Sequence, residues 1–170
     1  GNIGVRSTVG EGSTFWFTVP QKATEALASE PEMVPEAMHN RPLLIVDEHA
    51  TTREQISGLC KQMGIHPVLC ADTQTARELV ASTSKPSLLG VLLSSSLPQV
   101  QPEEFALELR KQSPSQPLPI IRLLNLKNVA ESSKPIPSGF SGQLIKPLRA
   151  HRLLRVLVES LGSRNLTSAT

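Results

Sequence analysis

Tyrosine is absent from this 170-residue chain, tryptophan occurs once and phenylalanine four times. So little aromatic surface leaves almost nothing on which nucleobases can stack, and nucleic acid is not expected as a partner. Cysteine occurs twice, at Cys60 and Cys70, in no metal-ligand spacing. Both are expected to be reduced, buried thiols. The net charge of +2 is too small to draw the chain to a polyanion or a membrane surface. No apolar run approaches the ~20 residues of a membrane span, and no signal peptide is visible. What the chain does have is aliphatic: a hydrophobic fraction of 39% is enough for a core, built here without rings.

Three zones follow one another. Residues 1–20 place Ile3-Gly4-Val5-Arg6-Ser7 and Thr14-Phe15-Trp16-Phe17-Thr18-Val19 on either side of the Gly10-Glu11-Gly12-Ser13 connection. Alternation flanking a glycine-rich turn predicts a β-hairpin. Two strands alone are marginally stable, so this hairpin is expected to belong to a larger sheet and the chain to a longer protein. Residues 21–41 are rich in Ala, Glu and Pro and predict a linker, with nascent helix near Thr24–Ala28.

Residues 42–161 alternate strand and helix signals. Short apolar runs at 43–47, 66–70, 88–93, 119–124 and 143–146 fit parallel strands covered on both faces. Thr51 or Thr52 is expected to cap a helix ended by Gly64, and Thr73 a second one. Pro102 should open a third, with Glu103 and Glu104 on its positive end. A weak fourth spans about 127–133 and a strong fifth about 150–161. Five βα units predict a doubly wound parallel sheet of the flavodoxin-like order 2-1-3-4-5, with its site at the carboxyl ends of strands one and three. Residues 162–170 resume linker composition.

The strand ends carry the chemistry. Asp47 and Glu48 close the first strand: two adjacent carboxylates are hard ligands suited to Mg²⁺, or simply an exposed acidic turn. Lys146, before Pro147, closes the fifth and either pairs with an acidic or phosphoryl group or lies on the surface. The run Leu43-Leu44-Ile45-Val46-Asp47-Glu48, the run ending Ser94-Ser95-Ser96-Leu97-Pro98, Pro119-Ile120-Ile121-Arg122-Leu123-Leu124 and Gly142-Gln143-Leu144-Ile145-Lys146-Pro147-Leu148 resemble response-regulator receiver domains in order and separation. The resemblance implies a CheY-like fold over 42–161. It also implies a phosphoacceptor aspartate where Ser94 stands, a hydroxy residue that contacts the phosphoryl group where Leu124 stands, and an aromatic switch where Gln143 stands. An acyl phosphate needs a carboxylate nucleophile and a metal to neutralise charge. Ser94 offers an unactivated hydroxyl, and Glu103 and Glu104 lie on the next helix. A degenerate receiver that accepts no phosphate, catalyses nothing and holds no metal or cofactor is therefore expected.

The segment from Gly10 to Pro20 resembles the end of a histidine-kinase ATP-binding domain, in which a G-x-G-[ST]-x-F turn leads into the last strand. Gly10, Gly12 and Ser13 would be the remnant of its nucleotide region. Together the pieces resemble a bacterial hybrid sensor histidine kinase: the end of the catalytic domain, a linker, then an internal receiver. That resemblance implies a cytoplasmic part of a membrane-bound sensor kinase. It implies as partners the kinase core of the same protein, a second receiver or phosphotransfer domain, and a homodimer, with no membrane contact by this segment. Arg149, His151, Arg152 and Arg155 on the last helix form the candidate interaction face. An alternative is a small-ligand sensor binding cyclic di-GMP, with Arg122, Arg149, Arg152 and Arg155 for guanine and phosphate and Phe140 for stacking.

Overall fold

The computed structural model describes residues 1–21, 33–82, 88–98, 100–113 and 118–162. The expected nascent helix at 24–28 and most of the expected tail lie outside the described residues. The chain divides into two units, Gly1–Pro31 and Glu32–Thr170.

In the first unit, β1 (Ile3–Thr8) and β2 (Gly12–Phe17) pair antiparallel, with Val5 opposite Phe15 and Ile3 opposite Phe17. Gly10 and Gly12 take φ of +85° and +115°, the region glycine enters without steric cost. On the other face Trp16 lies opposite Gly4, where a Cβ would meet the indole ring at 2.5 Å. Ile3, Val5, Phe15 and Phe17 are exposed.

The second unit is a five-stranded parallel sheet of β3 (Pro42–Val46), β4 (His66–Cys70), β5 (Gly90–Ser94), β6 (Ile120–Leu124) and β7 (Gly142–Ile145). Their order is β4-β3-β5-β6-β7, which is 2-1-3-4-5 counted within the sheet, as expected. Pro67 sits on the edge strand β4, where its missing N–H is tolerated.

Side chains alternate across the sheet with period two. Leu43, Ile45, Leu92, Ile121 and Leu123 face α1 (Ala50–Gln62) and α4 (Ala150–Gly162), whose Ile56, Cys60, Leu153 and Leu157 complete one core. Leu44, Val46, Val91, Leu93 and Ile120 face α2 (Thr73–Ser82) and α3 (Pro102–Lys111), with Ala76, Val80, Phe105 and Leu109. Both cysteines are free and buried, and burial pushes the Cys60 thiol up to about 12.

Three local expectations are corrected. Helix α1 starts at Ala50, so Thr51 and Thr52 lie inside it; Arg53 instead reaches back to the carbonyls of Asp47 and Glu48, at 2.7 and 3.1 Å. Helix α2 is capped by Asp72 rather than Thr73, its carboxylate accepting from the Thr75 amide at 2.8 Å and the Thr75 hydroxyl at 2.9 Å. The fourth helix is a 3₁₀ stretch, Leu126–Ser133, interrupted at Asn128, and not an α-helix. Within the stretch read as linker, Met38 is buried in the α1/α4 core and Val34 packs against it, so the segment beside β3 is held by the domain.

Candidate functional site at the carboxyl edge of the sheet

Parallel strands end together, so the last residues of β3, β5, β6 and β7 converge on one edge. Asp47, just past β3, is fully buried; Ser94, the last residue of β5, is too. Lys146 follows β7 and places Nζ 2.8 Å from Asp47 Oδ2 and 3.4 Å from Ser94 Oγ. Asp47 Oδ1 accepts the His49 amide at 2.9 Å, which fixes the entry into α1. The Asp47 carboxylate thus meets an ammonium on one oxygen and a backbone N–H on the other.

Ser94 is spoken for as well. Its hydroxyl lies 3.3 Å from that of Ser96, and Asn125 Nδ2 donates to Ser96 Oγ at 3.0 Å. Among the described residues no carboxylate contacts Ser94. Leu124, the last residue of β6, is fully buried apolar bulk. Gln143 on β7 donates from Nε2 to the Ser132 carbonyl at 2.8 Å, tying the 3₁₀ stretch to the sheet. Arg122 adds a second tie, 2.8 Å from Glu131 and 3.3 Å from Glu103.

No family model matches the chain. Two curated proteins are similar to it. Sensor histidine kinase AruS of Pseudomonas aeruginosa is 32% identical over 163 residues, covering 94% of this chain and 16% of that protein. Sensor protein EvgS of Escherichia coli O157:H7 is 29% identical over 157 residues, covering 87% of this chain and 12% of that protein. The chain therefore spans less than a fifth of either relative. Among solved structures, the receiver domain of sensor histidine kinase PA1611 from P. aeruginosa PAO1 superimposes with a TM-score of 0.60 at 21% identity, over 72% of this chain and 98% of that one. That structure has a magnesium ion in its active site cleft. The strand order and this overlay agree. The fold is that of a response-regulator receiver domain.

The receiver fold implies a magnesium ion held by three carboxylates, and the residues present do not fit it. The third carboxylate position is the neutral Ser94, and Lys146 already contacts both Asp47 and Ser94. What stands there instead is a mixed cluster. Asp47, Glu48 and His49 each offer a ligand atom, all within 4.8 Å of one another.

The structure brings Asp47, Ser94 and Lys146 into contact, with Glu48 on the flank of Asp47 and Leu124 and Gln143 at the neighbouring strands. Arg149, His151, Arg152 and Arg155 are all exposed on or beside α4, and among the described residues the three arginines form no ion pair. Of Gly10, Gly12 and Ser13, Gly10 lies in the hairpin turn and Gly12 and Ser13 open β2, all in the first unit.

The cyclic di-GMP set is not assembled. Arg122 is only 11% exposed and occupied by two glutamates, and Phe140 is buried with Arg122 over its ring at 6.0 Å. Neither is available to a guanine.

Sequence reasoning missed His49, Asn125 and Ser96. Each directly follows or nearly follows a named strand end, and that adjacency was the signal. It also missed an open groove of about 550 Å³ beside Lys146, lined by Ile56, Leu59, Leu126 and Leu148. Leu126 is 67% exposed there.

Proposed function

We propose that residues 42–161 act as a non-phosphorylatable, receiver-like regulatory module of a two-component hybrid sensor kinase. The module controls kinase or phosphorelay output through protein–protein contacts. The observation that carries the reading is Ser94: a buried, neutral hydroxyl at the end of β5, held by Lys146 and Ser96, with no carboxylate or imidazole against it among the described residues. Such a hydroxyl is no substitute for a carboxylate nucleophile. The AruS match adds support, because a sensor histidine kinase is similar to this chain over 94% of its length. The working surface is read as the exposed basic side of α4 with Arg149, His151, Arg152 and Arg155. Its partners are the kinase core, a second receiver or a phosphotransfer domain.

Incubation of the chain with a phosphohistidine donor tests the first half. No acid-labile phosphate is expected on the protein, nor on Ser94→Asp, because Leu124 still leaves the phosphoryl pocket without its hydroxyl. Stoichiometric labelling of either protein overturns the reading. Deletion of 42–161 from the parent kinase tests the second half, with altered phosphoryl flux expected; unchanged flux argues against a regulatory role.

A further inference from the structure

No residue of the 3₁₀ stretch Leu126–Ser133 is buried. Its two large aliphatic side chains, Leu126 and Val129, are 67% and 43% exposed. Apolar burial therefore holds the stretch weakly, and polar ties must do most of the holding. Among the described residues three reach it from the sheet and its loops. Arg122 Nη2 lies 2.8 Å from Glu131 Oε2, Gln143 Nε2 donates to the Ser132 carbonyl at 2.8 Å, and Asn125, just before the stretch, donates to Ser96 Oγ at 3.0 Å. The stretch is broken at Asn128, whose side-chain amide turns in to Glu131 Oε1 at 3.1 Å.

The main tie is shared. Arg122 offers the same nitrogen, Nη2, to Glu131 and, at 3.3 Å, to Glu103 on α3. A guanidinium pairs best side-on, two nitrogens to one carboxylate. Here Nε is shut off from solvent and has no hydrogen-bond partner among the described residues; the same holds for Gln143 Oε1. The closed arrangement thus leaves donor and acceptor capacity unused. If Glu131 leaves, its carboxylate, already 34% exposed, passes into water. Arg122 is only 11% exposed, yet it keeps Glu103 as counter-charge, so the step strands no buried cation. Glu103 thus favours release.

We propose that Leu126–Ser133 is a strap with two positions, held down by Glu131 on Arg122 and released when Arg122 passes to Glu103 alone. The strap governs the groove beside Lys146, because Leu126 lines that groove together with Ile56, Leu59 and Leu148. With the strap down the groove is complete, and with the strap released it loses the Leu126 wall. The latch is built from the domain's own residues, so it stands or falls apart from any regulatory role in a kinase.

The test is backbone amide exchange, followed by NMR, on the 170-residue chain and its Glu131→Ala and Glu103→Gln variants. The amides of Asn128 and Lys134, which donate to the carbonyls of Asn125 and Glu131 at 2.9 and 3.1 Å, report the strap. Those of Leu89 and Val91, which donate to Pro42 and Pro119, report the sheet. In Glu131→Ala the strap amides should exchange about tenfold faster, the size of effect expected for one charge-assisted hydrogen bond, with the sheet amides unchanged. In Glu103→Gln they should exchange about threefold slower, because release now strands Arg122. A network that merely braces the stretch would speed exchange in both variants, so strap exchange in Glu103→Gln at or above the parent rate overturns the latch. Unchanged strap exchange in Glu131→Ala overturns it as well. So do sheet amides that speed up in step with the strap, since the stretch then opens only with the whole domain.

Discussion

Along the carboxyl edge of the sheet, the ends of β3 and β7 present Asp47, Glu48 and Lys146, while the ends of β5 and β6 present Ser94 and Leu124. The charged pair has structural duties. Asp47 receives the first amide of the turn into α1 and balances the Lys146 ammonium. The carbonyls of Asp47 and Glu48 receive Arg53. At the other two ends a small hydroxyl and a buried aliphatic chain suffice for packing. Charges thus stand where the fold uses them, while the ends of β5 and β6 carry uncharged side chains.

Four substitutions, two of them combined, break or sharpen this contrast. The largest effect is expected at Lys146→Met, which strands a fully buried carboxylate. Breaking a buried pair costs about 3–5 kcal/mol, read as a lower urea midpoint. Asp47→Asn added to Lys146→Met should recover most of the loss, because no lone charge remains. If the double variant is no better than the single one, the ion pair is not what makes that end structural.

Next comes Leu124→Thr, which restores a hydroxyl to the apolar end of β6. An unpartnered hydroxyl in a buried position costs about 1–3 kcal/mol. Unchanged stability would show that the end of β6 had remained polar and wet. The smallest effect is expected far from the edge, at Asp72→Asn. Hydrogen bonds from the Thr75 amide and hydroxyl hold the Asp72 carboxyl below its ordinary 3.8. A carboxyl depressed by folding binds its proton more weakly in the folded state. It therefore stabilises above its ordinary value, and the benefit is lost as pH falls through its folded one. Thermal melts should show Asp72→Asn slightly below the parent at neutral pH and level with it in strong acid. A deficit that persisted in acid would assign the loss to something other than the charge.

Much of the fold was legible because its signals are local and periodic. Five aliphatic runs, a proline opening α3 and a glycine ending α1 need only their neighbours to be read. The caps were misjudged because Thr51, Thr52 and Asp72 are all competent caps, and the choice falls to whichever backbone geometry the strand end delivers. The weak helix at 127–133 became a 3₁₀ stretch because Pro135 and Pro137 follow it and because Gln143 and the Arg122–Glu131 pair hold it to the sheet. Those ties join residues on different elements, and no periodicity announces them.

By itself the sequence determined the alternation of strands and helices, the aliphatic core and the residue types at each strand end. It also determined that a serine occupies β5's last position, a covalent fact no folding can alter. Only the tertiary structure decided that Lys146 reaches both Asp47 and Ser94 across 99 and 52 residues of chain, that Arg122 and Phe140 face inward, and that His49 turns its nitrogen to two carboxylates. The reason is physical. Strand and helix propensity act between near neighbours, whereas charge neutralisation and hydrogen bonding act between whatever the finished sheet brings within about 3 Å.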